Sequence, residues 1–476
     1  MTIIDWLFVA LYFGLLIVIG VQSVRRISGS DDFAVAGGRI IWPVIFATLA
    51  ASFLGGGSSM GNAGNVFRDG YVFLFAFFAF SIQTVLVGLF VAHKLRRYDG
   101  AHTVGDIMEA HYGRATRLLT GVLSVAVCAG ILGAQTLAVG TVFNAVLGID
   151  PVVGILIGMG IVLLYATFGG MWAVIQTDVV QFVILGVFLP VTLIIGLTRV
   201  GGPSALIDSL PAAHFTFMGS WTWAAFIGVF LAFLLGETLV PPYTQRAFAA
   251  RDPQASRRGY LVAGIFSFGF FFVTATIGLL AMVLFPDISP DQALPTVVTN
   301  LLPVGVTGLV LAALLAVIMS TADSYLNSTA VVFVKDIYVP FFRTSATDRQ
   351  RLIAQRVVTL GVGVAATVFA LLAPSIIDAL LLSYNLWAPT VVVPLIAGVV
   401  LGLRNRAAGL AAILAGGSAM AVWQWGLGEP LGVSGLVAGV VTNIVVFTAV
   451  YLLTPRQARL VHERVPVDAT AVPEGG

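Results

Sequence analysis

Runs of about twenty apolar residues recur along almost the whole chain, and no other property restricts its fold so tightly. The first, IDWLFVALYFGLLIVIGVQSV at residues 4–24, is long enough to cross a ~30 Å hydrocarbon core as a helix. In lipid, every backbone N–H and C=O must be satisfied within its own segment, so runs of this kind read as membrane helices. Charged residues make up only 10% of the chain, against about 25% in ordinary soluble domains. The expected fold is therefore an all-α polytopic membrane protein embedded in a lipid bilayer.

Thirteen transmembrane helices are expected, near residues 4–23, 41–64, 70–93, 117–147, 151–169, 171–198, 219–242, 259–285, 304–335, 354–373, 376–402, 407–426 and 432–453. An odd number places the termini on opposite faces. With the N-terminus outside, all 24 Lys and Arg residues except Arg68 and Arg199 fall on the inner side, the asymmetry of the positive-inside rule. The expected location is a bacterial inner membrane with a cytoplasmic C-terminus. The first run has no basic residue before it and no A-x-A-like site after it, and so reads as a retained helix. Cys128, the lone cysteine, lies in an apolar span and reads as a small packing residue. A net charge of +2 gives no argument for a nucleic-acid partner, and no obligatory protein partner is evident. Residues 454–476 read as a disordered cytoplasmic tail.

Two spans are mechanically odd. ASFLGGGSSMGNAG (51–64) is rich in glycine, which lets a helix unwind and bare its carbonyls. GETLVPPY (236–243) combines a glycine, a carboxylate and a double proline. If residues 41–198 form one five-helix half and 199–402 a second, both oddities open their halves, and the odd helix number inverts the second half. Residues 1–40 would then carry one extra helix and 403–453 two peripheral ones. Interrupted helices at matching positions of inverted halves point to a transporter binding site. Close helix packing at small residues is the simpler reading of the glycines.

Three carboxylates fall inside spans: Asp178, Glu237 and Asp323. Charge at such depth is costly and usually marks an ion or substrate path. Glu237, near the inner end of its span, would also be explained by water or a loop arginine. Asp323 lies in MSTADSYLNS (319–328), where Ser320, Asp323, Ser324 and Asn327 follow i, i+3, i+4, i+7 and form one stripe. Thr321 flanks the stripe, and the Val317 carbonyl lies one turn earlier. Oxygen ligands suit hard cations, and neutral hydroxyls with bared carbonyls suit a monovalent one. The competing reading is that the hydroxyls bond back to the preceding turn.

MSTADS at 319–324, GGMWAVIQTDVVQ at 169–181 and KDIY at 335–338 resemble the sodium:solute symporter family. The resemblance implies a leucine-transporter-like five-plus-five inverted repeat preceded by one extra helix, with Na+ as coupling ion. It implies sodium ligands at the carbonyls of Ala51, Leu54 and Val317 and the hydroxyls of Ser320 and Thr321. Asp178 matches a family aspartate tied to coupling, with Asp323 and Ser324 at a second Na+ or proton site. Asp323 departs from the family serine, which leaves it open to ligate an ion, carry a proton or anchor the helix. Phe53 departs from members with Asp or Asn there, so their substrate assignment does not carry over.

Candidates for binding a small organic solute are Ser58, Ser59, Asn62, Gln135, Glu237, Tyr384, Asn385 and Trp387. No Lys or Arg is expected among them, which leaves backbone N–H groups at Gly55–Gly57 for a carboxylate and Glu237 with the aromatics for an amine. Sodium-coupled symport by alternating access is the expected function. A proton-coupled symporter of the same fold is the alternative, and a membrane-embedded enzyme or a channel is more remote. The five His residues form no H-E-x-x-H motif, and no G-x-x-x-x-G-K-[ST] stretch supports a nucleotide-driven pump.

Overall fold

The computed structural model describes residues 3–25, 29–98, 100–303, 305–372 and 375–454, and all regular elements among them are helical. The principal helices are α1 Ile3–Val24, α2 Trp42–Phe53, α3 Asn62–Asp69, α4 Tyr71–Phe90, α5 Val104–Tyr112, α6 Arg114–Leu147, α7 Pro151–Val200 and α8 Trp223–Leu235. They continue as α9 Pro241–Ala249, α10 Pro253–Leu284, α11 Val306–Val332, α12 Asp348–Ala370, α13 Ile376–Trp387, α14 Val393–Leu401, α15 Arg406–Ala421 and α16 Gly435–Leu453. Among the described residues nine helices are long and apolar enough to cross a membrane, or ten with one bent pair counted as a span. Pro151–Leu164 and Trp223–Leu235 are shorter apolar helices. The tail expected to be disordered falls, beyond Thr454, outside the described residues.

The breaks fall where the sequence places them. The bent pair is α2 and Gly57–Asp69, turned by 59° around a wide π-type turn at Gly57–Gly61. α7 is interrupted at Gly170, whose φ of 50° and ψ of −159° divide it between the two expected spans. Between α8 and α9 the chain leaves the helix from Gly236 to Val240, with Leu239 at φ 58°. Pro241 and Pro242 then restart it in the first turn, where a missing N–H costs nothing.

α11 runs through the centre, packed against α6, α7, α1 and α12. Its polar residues are all buried, including Ser320, Thr321, Asp323, Ser324, Asn327, Ser328 and Thr329. The outer helices invert that pattern. Leu11 and Val18 of α1, Val183 and Ile194 of α7, and Val357 and Val364 of α12 are exposed, as a lipid-facing surface requires. Asp5 fixes α1 to the start of α11 by accepting from the Gly305 and Gly308 N–H groups at 2.7 and 3.0 Å.

At the Lys335 end of α11, Arg117 gathers an ionic cluster. Its guanidinium meets Asp106 at 2.7 Å, Glu109 at 2.6 Å and Asp336 at 3.1 Å. It also donates to the Lys335 carbonyl at 2.8 Å. Thr103 donates to Asp336 at 2.8 Å, and Lys335 meets the His102 ring. The cluster ties α5 and α6 to the chain that leaves α11.

Candidate ion and solute site

α2 ends in a turn in which the Leu54 N–H reaches the carbonyls of Ala50, Ala51 and Ser52. α11 crosses at this point. The Thr321 hydroxyl lies 3.4 Å from the Ser52 carbonyl, and a Cβ added at Gly55 would stand 2.6 Å from that hydroxyl. Only glycine lets the two chains approach so closely. Gln135 of α6 accepts from the Gly56 N–H at 2.7 Å, and so caps the break from the opposite side. The Ser320 hydroxyl bonds to Asp178. The structure therefore gathers Ala51, Leu54, Ser320, Thr321 and Asp178 around the break, and Val317 lies one turn before Ser320 on the same helix. The oxygens given at the break are the Thr321 hydroxyl, the Ser52 carbonyl and the Gln135 amide oxygen.

One expectation is corrected here. The sequence places Arg246 on the inner side and no Lys or Arg among the solute candidates, yet Arg246 is fully buried. It pairs with Asp178 at 3.0 Å. Its guanidinium also donates to Ser52 at 2.7 Å, Ser324 at 2.8 Å, Thr48 at 3.0 Å and the Pro242 carbonyl at 3.0 Å. Thr48 in turn donates to Asp178. A buried carboxylate needs a counter-charge, and Arg246 supplies it from α9. In sequence Arg246 looks like part of the basic stretch that continues at Arg251; its place on α9, a few residues after the double-proline restart, is what turns it into the bundle.

Glu237 is corrected as well. No loop arginine pairs with it among the described residues. It is buried, and three tyrosines donate to it: Tyr243 at 2.6 Å, Tyr325 at 2.7 Å and Tyr384 at 2.7 Å. Trp387 donates to the Thr238 carbonyl at 2.8 Å, so Glu237, Tyr384 and Trp387 share one cluster. The other solute candidates are dispersed. Asn62 donates to the Phe271 carbonyl and to Thr274 at 2.9 and 2.8 Å. Ser59 bonds back to the Gly55 carbonyl at 2.8 Å, and Ser324 to that of Ser320 at 2.8 Å. Ser58 is half-buried in the π-type turn, with its carbonyl 3.4 Å from the Thr274 hydroxyl. Asn385 donates to Gln424, beyond α15, at 2.8 Å. Asp323 is fully buried and lies within electrostatic reach of the Tyr12 hydroxyl, to which Gln181 donates at 3.0 Å.

Broken apolar helices, joined at their breaks by a buried oxygen-rich cluster, define a membrane transporter. The chain belongs to the sodium:solute symporter family, whose model matches residues 33–451. It is 27% identical to the high-affinity choline transporter 1 of Drosophila melanogaster over 80% of this chain and 63% of that one. It is 25% identical to the osmoregulated proline transporter OpuE of Bacillus subtilis over 94% of each. A Na+-coupled sialic acid symporter in a substrate-bound outward-open state shares the fold, with a TM-score of 0.84 at 20% identity over 96% of this chain and all of the other. The nucleobase-cation-symport transporter Mhp1 matches at 0.56 and 15% identity, over 90% of this chain and 96% of its own. The relatives are transporters, and this protein is a secondary transporter of the symporter class.

Proposed function

We propose that the protein couples inward sodium flow to uptake of a small organic solute by alternating access across a bacterial inner membrane. The carrying observation is the meeting of α11 with the α2 break, where the Thr321 hydroxyl adjoins the Ser52 carbonyl and Ser320 bonds to Asp178. Sodium would be held there by the carbonyls of Ala51, Leu54 and Val317 and the hydroxyls of Ser320 and Thr321. Binding would tie α2 to α11 and favour the outward-open state. The membrane potential contributes about 2.3 kcal/mol per charge per 100 mV to its entry. Asp178, Asp323 and Ser324 form the candidate second site. In this conformation Arg246 already provides a positive charge to Asp178 and Ser324.

In the proposed architecture thirteen spans run from an outside N-terminus, with residues 41–198 and 199–402 as inverted halves. The α2–α3 and α8–α9 breaks support that division because each lies in the first span of its half. The relatives' solutes, choline and proline among them, support a small organic substrate.

The test is thermal denaturation of purified protein with a solute panel, in sodium and again in potassium, followed by uptake into proteoliposomes. A solute that stabilises and accumulates only with sodium supports the reading. Accumulation driven by a pH gradient and indifferent to sodium overturns it.

A further inference from the structure

Glu237 stands apart from the arginine-paired carboxylates of the protein. Asp178 lies against Arg246, and Asp106 and Asp336 lie against Arg117. Glu237 is held by three neutral phenols, and no cationic side chain pairs with it among the described residues. Hydroxyl donors stabilise an ionised carboxylate, but they leave one uncompensated negative charge inside the bundle, and buried charges are ordinarily paired. A cationic ligand would supply the missing counter-charge.

The walls specify what kind of ligand. Tyr384 meets Phe233 edge to face at 6.0 Å, and Tyr243 meets Phe53 at 5.3 Å. Tyr325 is the third tyrosine on the carboxylate, and Trp387 reaches the neighbouring Thr238 carbonyl. A buried carboxylate among aromatic side chains suits a substituted ammonium group, whose charge pairs with the carboxylate while its apolar substituents bury against the rings. The position adjoins a helix break. Glu237 sits on the non-helical link between α8 and α9, and Tyr325 lies one turn from Thr321 on α11. A ligand at Glu237 would therefore bear on the helix that carries the sodium ligands.

We propose that Glu237, with Tyr243, Tyr325 and Tyr384, receives the ammonium group of the solute, so that the transported solute is an organic cation or a zwitterion presenting a substituted ammonium. This rests on the symport reading and narrows its substrate class.

The test measures thermal stabilisation of the purified full-length protein by choline, glycine betaine and putrescine, beside glucose and pantothenate, in sodium and in potassium. At least one ammonium compound is expected to stabilise the wild type. Its affinity is expected to fall at least ~30-fold in Glu237→Gln, because one partner of a buried charge pair is removed. Stabilisation of that variant by sodium alone, expected to be retained, reports that it is folded. Tyr384→Phe, which keeps the ring and removes one hydroxyl, provides a milder variant with an expected loss of about 5-fold. The proposal is overturned if no ammonium compound stabilises the wild type, or if the ammonium compound binds both variants as tightly as the wild type. Loss of the sodium response alone in Glu237→Gln, with solute binding intact, would make this an inorganic-cation site and also overturn it. An ammonium compound that binds equally in potassium would leave this proposal standing and sink sodium coupling. A neutral solute that binds only with sodium, with no response to ammonium compounds, would do the reverse.

Discussion

Ser320 and Thr321 are adjacent on α11 yet reach different partners, Asp178 for one and the carbonyl edge of α2 for the other. Replacing Thr321 by Ala is expected to raise the sodium concentration for half-maximal uptake by about 10-fold, whereas Ser preserves the hydroxyl and stays near wild type. Sodium titration of uptake in proteoliposomes reads both. Arg246→Met leaves Asp178 buried without its counter-charge, a change that typically costs about 3–5 kcal/mol. A large fall in denaturation temperature is expected, with recovery when Asp178→Leu is added, because the pair is then absent and no charge is stranded. The hydroxyl stripe was legible in the sequence because helical periodicity alone aligns it. Arg246 was not legible, because a basic residue next to a basic loop looks the same in sequence whether it faces solvent or turns into the bundle.

At the scale of elements, the breaks are held open by close crossings and not by glycine content as such. A Cβ at Gly278 of α10 would stand 2.1 Å from the Ala63 carbonyl of α3, so the two backbones touch there. Gly278→Ala should destabilise the protein by roughly 1–3 kcal/mol through overpacking. Gly269→Ala on the same helix meets nothing within 4 Å and should be neutral or slightly stabilising, since alanine is the better helix former. Denaturation temperatures of the two variants give the comparison. The glycine-rich and double-proline stretches announced their breaks in sequence because backbone chemistry is local. The exchange of contacts across them, Gln135 to Gly56 and Trp387 to Thr238, joins residues far apart in the chain and was hidden for that reason.

Across the whole molecule, the Arg117 cluster fastens the end of α11 to α5 and α6. Burial, with the neighbouring Asp106 carboxylate, pushes Asp336 up to about 7 despite Arg117. A carboxylate raised in the folded state keeps its proton to higher pH than in the unfolded chain, so its contribution to stability is lost as pH climbs from about 4 to 7. His111 runs the other way, because burial pushes it down to about 4. The informative quantity is thus the wild-type stability minus that of Asp336→Asn, which should decline over this window and flatten above it. Thermal denaturation across a pH series tests this, and a flat difference would show that Asp336 is ionised throughout.

By itself, the sequence determined that the chain is helical and apolar enough to cross a membrane repeatedly, where its helices break, and which face of α11 carries oxygens. Each of these depends on neighbours within a turn or two and on the cost of placing backbone or charge in lipid. Only the tertiary structure decided that Arg246 answers Asp178, that three tyrosines from α9, α11 and α13 converge on Glu237, and that Asn385 turns away toward Gln424. Those pairings depend on how separate helices pack, and a buried charge finds its partner in space without regard to its distance along the chain.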